Sequence, residues 1–152
     1  MKVCIAAALA LTVPATLDAQ TAITDLATAN PIAGTWNYAV TTGGSEASFL
    51  SPAALPQLTV RCARSTRVVT VAKPATAAAA LMTIWTSSAV RAVPASFNPL
   101  TNRLSIDIVS NDPLLDSLAF SRGRIGVTVA GGPSLVVPAW PEVAHVVEDC
   151  RS

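Results

Sequence analysis

The sequence predicts a mainly β domain: an antiparallel β-sandwich or partly open barrel, with two short helices near its C-terminus. Three observations predict it. About eight short segments alternate apolar and polar residues at period two, the mark of half-buried strands. Most are separated by Gly, Pro, Asn or Ser turn chemistry rather than by helical stretches, so nothing argues for a parallel sheet. The two segments with strong helical signals both fall after Asn111.

Residues 1–19 have the layout of a secretory signal peptide. Lys2 supplies a positive start, Val3 to Val13 is an apolar run too short to span a bilayer, and Leu17-Asp18-Ala19 places a small residue before the expected cut. The mature chain would then begin at Gln20, and Cys4 would leave with the peptide. The alternative is an uncleaved membrane anchor. No later run reaches the ~18 apolar residues of a membrane-spanning helix, so no transmembrane segment is expected in the mature chain. Residues 20–31 are small, polar and rich in Thr and Ala, which predicts a flexible lead-in. Residues 32–152 form the single β-rich domain.

Gly34 to Val40 reads as the first strand, with Trp36, Tyr38 and Val40 on one face. Thr42-Gly43-Gly44-Ser45 turns the chain into a return strand, Glu46 to Leu50. Ser51 to Pro56 is a proline-bounded loop. In Gln57 to Cys62 the residues Leu58, Val60 and Cys62 alternate with Gln57, Thr59 and Arg61, so Cys62 shares the apolar face. Arg64-Ser65-Thr66 turns again, and Arg67 to Val71 returns. Pro74 to Ala80 is alanine-rich and could form a helical turn by propensity. Leu81 to Thr86, Val90 to Val93 and Leu104 to Val109 complete the next strands, with Asn98-Pro99 and Thr101-Asn102 as turn chemistry between them.

Asp112-Pro113 is a helix start. An Asp cap accepts from an orphan backbone N–H, and Pro at the first helical position loses no hydrogen bond. Leu114, Leu115 and Leu118 share one face, and Gly123 is a left-handed stop, which predicts a helix over Pro113 to Ser121. Arg124 to Ala130 alternates as a strand. Gly131-Gly132-Pro133 breaks it before the short run Leu135 to Val137, which predicts a hairpin with a loose turn. The last helix begins near Pro141, with Val143, Val146, Val147 and Cys150 in one stripe and end charges favourable to the helix dipole.

Of three cysteines, the mature chain would keep Cys62 and Cys150. Two cysteines in an exported chain read first as one disulfide. Both lie on apolar faces, one of a strand and one of the last helix, which is the arrangement a bridge requires. A zinc site is a poor fit: the cysteines are far apart and His145 is the only histidine.

Roughly 130 mature residues suffice for one domain with a sizeable core. Charged residues make up only 12% and apolar ones 51%, which predicts a compact apolar interior. Net charge near +1 argues against nucleic acid or an anionic membrane surface as a main partner. No nucleophile elbow of the form G-x-S-x-G is present. A Glu142/His145/Asp149 metal face is conceivable, but these residues read as a solvated helix face. Asp107, Asp112 and Asp116 could pair as carboxylates, yet Asp112 is taken by a cap and the others lie on polar faces. Neither catalysis nor a metal or other cofactor is expected. Arg61, Arg64 and Arg67 gather at one hairpin, Arg122 and Arg124 flank Gly123, and Trp140 precedes the last helix. Arg and Trp are enriched at binding hot spots, so these six residues are the candidate interaction surface. The plain alternative is solvated turn arginines, or ion pairs to Asp116 and Glu148.

The segment DPLLDSLAFSRGR followed by PAWPEVAHVVEDCR resembles a set of uncharacterised exported proteins of sphingomonad-type bacteria. The wider layout is Trp36 on a first strand, Leu58-Thr59-Val60-Arg61-Cys62, a late helix from Leu114 to Phe120, a strand from Ile125 to Val129, and Cys150. It is distantly similar to invasion-associated locus B-like periplasmic proteins. These resemblances imply a periplasmic β-rich domain with an envelope or interaction role, and supply no catalytic residues. Gly34-Thr35-Trp36 also looks like the G-x-W signature of lipocalins and small periplasmic protease inhibitors. The expectation is therefore a periplasmic or secreted, non-catalytic interaction module whose partner is another envelope protein. The alternative is a lipocalin-like carrier of a small ligand, or a periplasmic inhibitor.

Overall fold

The computed structural model describes residues 22–152. The signal peptide predicted over residues 1–19, and the cut before Gln20, lie outside the described residues.

The described chain folds into two antiparallel sheets and two helices. Strands β1 (Thr35–Thr41), β2 (Gly44–Leu50), β3 (Pro56–Ala63) and β4 (Val68–Pro74) form a meander. The chain then crosses to a second sheet with β5 (Leu81–Trp85) and β6 (Val90–Pro94), and returns with β7 (Ser96–Asn98) and β8 (Arg103–Val109). Helix α1 (Pro113–Ala119), β9 (Arg124–Val129), β10 (Leu135–Pro138) and helix α2 (Pro141–Arg151) follow. The six-stranded sheet runs β1-β2-β3-β4-β8-β7 and the four-stranded sheet runs β10-β9-β5-β6. The fold is thus mainly β with late helices, as the periodicity predicts, and it is not closed into a barrel. The alanine-rich stretch after Pro74 is irregular rather than helical: it is the crossover between the sheets.

Alternation fixes which face is buried. Ala47 and Phe49 on β2, Leu58, Val60 and Cys62 on β3, Val69 and Val71 on β4, and Leu104, Ile106 and Ile108 on β8 all point inward. Met82, Ile84, Ile125, Val127 and Val137 face them from the other sheet, and the apolar stripe of α2 joins the same core. Gly44 sits where the meander is tightest: a Cβ there would lie 2.0 Å from the Cys62 carbonyl oxygen.

The Cys62–Cys150 disulfide joins β3 to the last turn of α2, with Cα atoms 5.4 Å apart and a sequence separation of 88. Valine-rich helices have mediocre propensity. α2 is held by the burial of Val143, Val146 and Val147 and by this covalent tie.

α1 starts as its sequence requires. Asp112 accepts a hydrogen bond from the Leu114 amide at 2.8 Å, with Pro113 in the first turn. It ends two residues earlier than predicted, at Ala119, with the positive-φ Gly123 in the loop beyond. The same Asp112 carboxylate takes a two-pronged pair of hydrogen bonds from Arg91 on β6, both 2.8 Å. This fork, helped by the Leu114 amide, holds the Asp112 carboxyl below its ordinary range against some desolvation. A depressed carboxyl pKa contributes stability above the unfolded value of about 3.9 and loses it as pH falls through the folded value. The wild type is therefore expected to lose stability on acidification below about pH 4. Arg91→Ala should show a visibly smaller acid loss, read from urea midpoints between neutral and acid pH.

The segment predicted as a flexible lead-in is docked from residue 22 onward. Ile23 and Leu26 are buried against Val136, with Trp85 and Ala29 packed beside them. The Ile32 amide donates to the Val136 carbonyl at 2.8 Å, and Arg124 donates to the Ala27 carbonyl. Gly126 makes the seat: a Cβ there would come within 2.8 Å of Ile23 Cδ1 and 3.0 Å of Leu26 Cδ1. The Thr/Ala composition concealed two apolar residues spaced for one turn.

Candidate functional site

The arginines singled out by sequence fall in three places. Arg61 stands on the outward face of β3, exposed, its parity opposite to that of Cys62. Arg64 and Arg67 leave the same hairpin in another direction, toward the end of α2. Arg64 pairs with Asp149 at 3.6 Å and donates to its carbonyl at 3.4 Å; Arg67 donates to the Arg151 carbonyl at 3.4 Å. Cations at a helix C-terminus complement its dipole, so both serve the fold there. Arg122 and Arg124 border a hollow of about 290 Å³ beside the docked N-terminal segment. Trp140 occupies the position before the first turn of α2, gives it no side-chain cap, and is exposed. The Asp116 partner expected for a turn arginine is taken by Arg151 at 2.7 Å.

Around Arg61 the outward face of the six-stranded sheet is polar, and its register builds it in rows. Glu46, Arg61, Thr70 and Asp107 are directly opposite one another across β2, β3, β4 and β8. Asn37, Ser48, Thr59, Ala72, Ser105 and Ser96 form the next row, across all six strands. Sheet twist curves this face into a shallow hollow of about 660 Å³.

Hydrogen bonds hold its side chains in place. Thr70 donates to Asp107 at 2.6 Å, and Ser48 donates to Glu46 at 3.0 Å. Arg103 is half-buried, donating to Thr59 Oγ1 at 2.9 Å and to the Ala72 carbonyl at 3.1 Å. Burial pushes the Arg103 guanidinium pKa down, and the Glu46 charge opposes that. Fixed donors and acceptors at strand spacing suit recognition of an extended polar chain, because each partner group meets a preset geometry. Of this set, sequence reading singled out Arg61 as a surface candidate and Asp107 only as a carboxylate on a polar face. The alternation that places Arg103, Thr59 and Glu46 outward was legible, but their convergence depends on strand pairing.

His145 lies on the other side of that sheet. α2 covers the inward face, and there His145 stacks edge-on against Tyr38 with ring centres 5.7 Å apart. The Tyr38 hydroxyl donates to Asp149. That bond lowers the Asp149 carboxyl pKa, which the nearby Arg64 charge lowers further, and it raises that of Tyr38. Among the described residues no group of three or more His, Cys, Asp or Glu side chains is gathered as a metal set. None of their helices is long and apolar enough to cross a membrane.

A second feature went unread in the sequence. β4 carries an inward-facing lysine, Lys73, at the rim of the core, beside a hollow of about 510 Å³. Continuing the alternation of Val69 and Val71 by one step would have found it.

Fold and surface together define a disulfide-tied, two-sheet antiparallel β domain with a polar outer sheet face. The chain matches no protein family, no curated protein and no solved structure.

Proposed function

We propose that this is an exported, non-catalytic interaction module of the periplasm, which recognises another envelope protein through the outer face of its six-stranded sheet. One observation carries the choice over a lipocalin-like carrier. A carrier places its first-strand Trp at an apolar cavity inside a closed barrel. Here the sheets stay open and Trp36, only 7% exposed, is packed edge-on against Phe49 with ring centres 5.5 Å apart. Its indole N–H donates to the Pro138 carbonyl at 2.7 Å. The tryptophan is thus a packing residue, and recognition falls to the surface. The outer sheet face offers Arg61 and Arg103 beside Glu46 and Asp107, a mix of charges that fixes register with a complementary partner. Export is supported by the pattern of residues 1–19 and by the disulfide, since such bridges persist in oxidising compartments.

The test is site-specific photo-crosslinking in cells. A crosslinking residue at Ser48, on the proposed face, is expected to give one discrete protein adduct. At Ser88, in the turn between β5 and β6, it should give none. Arg61→Ala/Arg103→Ala should abolish the Ser48 adduct while the protein stays folded. An adduct that forms equally from Ser88, or that ignores the arginine substitutions, would rule out this face.

A further inference from the structure

Along β4, Val69, Val71 and Lys73 point the same way, opposite Ile108, Ile106 and Leu104 of β8. A lysine therefore occupies a core-facing position. It is 5% exposed, and no described residue gives its ammonium a hydrogen bond or an ion pair within reach. Burial lowers the pKa of this amine. The ammonium is not sealed in the core but opens on a hollow, so an anion there would meet a cation that no described side chain pairs with.

The side chain lines the hollow between the crossover after Pro74 and the β9–β10 turn. The walls are mostly methyl and methylene surface from Ala75, Ala79, Val129 and Pro133. Asn102 stands at the rim, and its carbonyl accepts from the Ala75 amide at 3.0 Å, which ties the crossover down beside the lysine. The volume falls within the ~300–1,000 Å³ of small-molecule sites, which are largely apolar with few polar groups that fix orientation. One cation at the base of an apolar slot matches one negative charge on an apolar body. A phosphate would call for the several donors of an arginine fork or a glycine-rich loop.

We propose that this hollow binds a small apolar carboxylate, its head paired with the Lys73 ammonium and its tail laid along the Ala, Val and Pro wall. The site is separate from the outer sheet face and does not rest on the reading of that face.

The test uses octanoate as probe, with octanol and octylamine as matched controls, by calorimetric titration of the purified protein. Octanoate is expected to bind, and octanol and octylamine to bind at least tenfold more weakly. Lys73→Met should weaken octanoate by about tenfold to a hundredfold, the worth of a hydrogen bond to a charged group. It should not lower thermal stability at neutral pH, since it replaces an unpaired buried charge by an apolar chain of similar volume. Arg61→Ala/Arg103→Ala should leave octanoate binding unchanged, so failure of one site is distinguishable from failure of the other. A measurement on the wild type needs no variant to fold: saturating octanoate should move the Lys73 amine titration to higher pH, followed by NMR at its ε carbon. No binding at millimolar octanoate, equal affinity for octanol, an unaffected Lys73→Met, or an unmoved Lys73 titration would each overturn the proposal.

Discussion

Cys62→Ala/Cys150→Ala is expected to lower the unfolding free energy by about 4–5 kcal/mol, the chain-entropy value for a loop of this size. Few single features of the molecule should matter as much. The bridge closes a sequence separation of 88, so its loss frees the larger part of the domain, from the end of β3 to α2, in the unfolded state. In the folded state it releases α2 from β3. The helix then depends on Val143, Val146 and Val147, on the Tyr38–Asp149 hydrogen bond and on the arginines at its end. Thermal unfolding should fall by roughly 15 °C for a domain of this size. The loss of protection should be concentrated in α2 and its neighbour α1, read by hydrogen exchange. A melting temperature unchanged by the double substitution would mean the bridge constrains neither state.

Trp36→Ala is expected to cost about 3–5 kcal/mol, as for other large-to-small substitutions of buried aromatic residues. The indole fills space against Phe49 and anchors β1 to the end of β10 through Pro138. Trp36→Phe separates the two roles. It keeps most of the apolar contact but leaves the Pro138 carbonyl without its donor, for a loss of about 1–2 kcal/mol. A carrier would behave differently: a tryptophan lining a ligand cavity could be truncated at little cost to the empty protein. Urea denaturation of the two variants decides between these roles.

Much of this fold was legible in single segments. The alternation of Leu58, Val60 and Cys62, the stripe of Val143, Val146, Val147 and Cys150, and the Asp112 cap each set local structure directly. Two independent periodicities also placed both cysteines on apolar faces, and the bridge joins them. What was not legible is pairing between distant strands. β8 returns to β4 and β9 to β5, and no local pattern of apolar residues encodes that choice. β7 was missed because three residues are too few for a period, and Pro94 and Pro99 flank it. The docked N-terminal segment was missed because its seat, Gly126, lies a hundred residues downstream. The polar rows around Arg61 suffered in the same way: their residues were visible, their register was not. Lys73 is different in kind. Its position followed from the strand's own alternation, and the proline after it made the strand look finished too early.

The central claim is that the Cys62–Cys150 bridge ties the domain together, with export proposed for it. The measurement that tests it most directly is the intact mass of the protein recovered from the periplasm, alkylated with and without prior reduction. The expected result is a chain beginning at Gln20, with both cysteines alkylated only after reduction. A retained Met1, or two thiols that react without reduction, would contradict it.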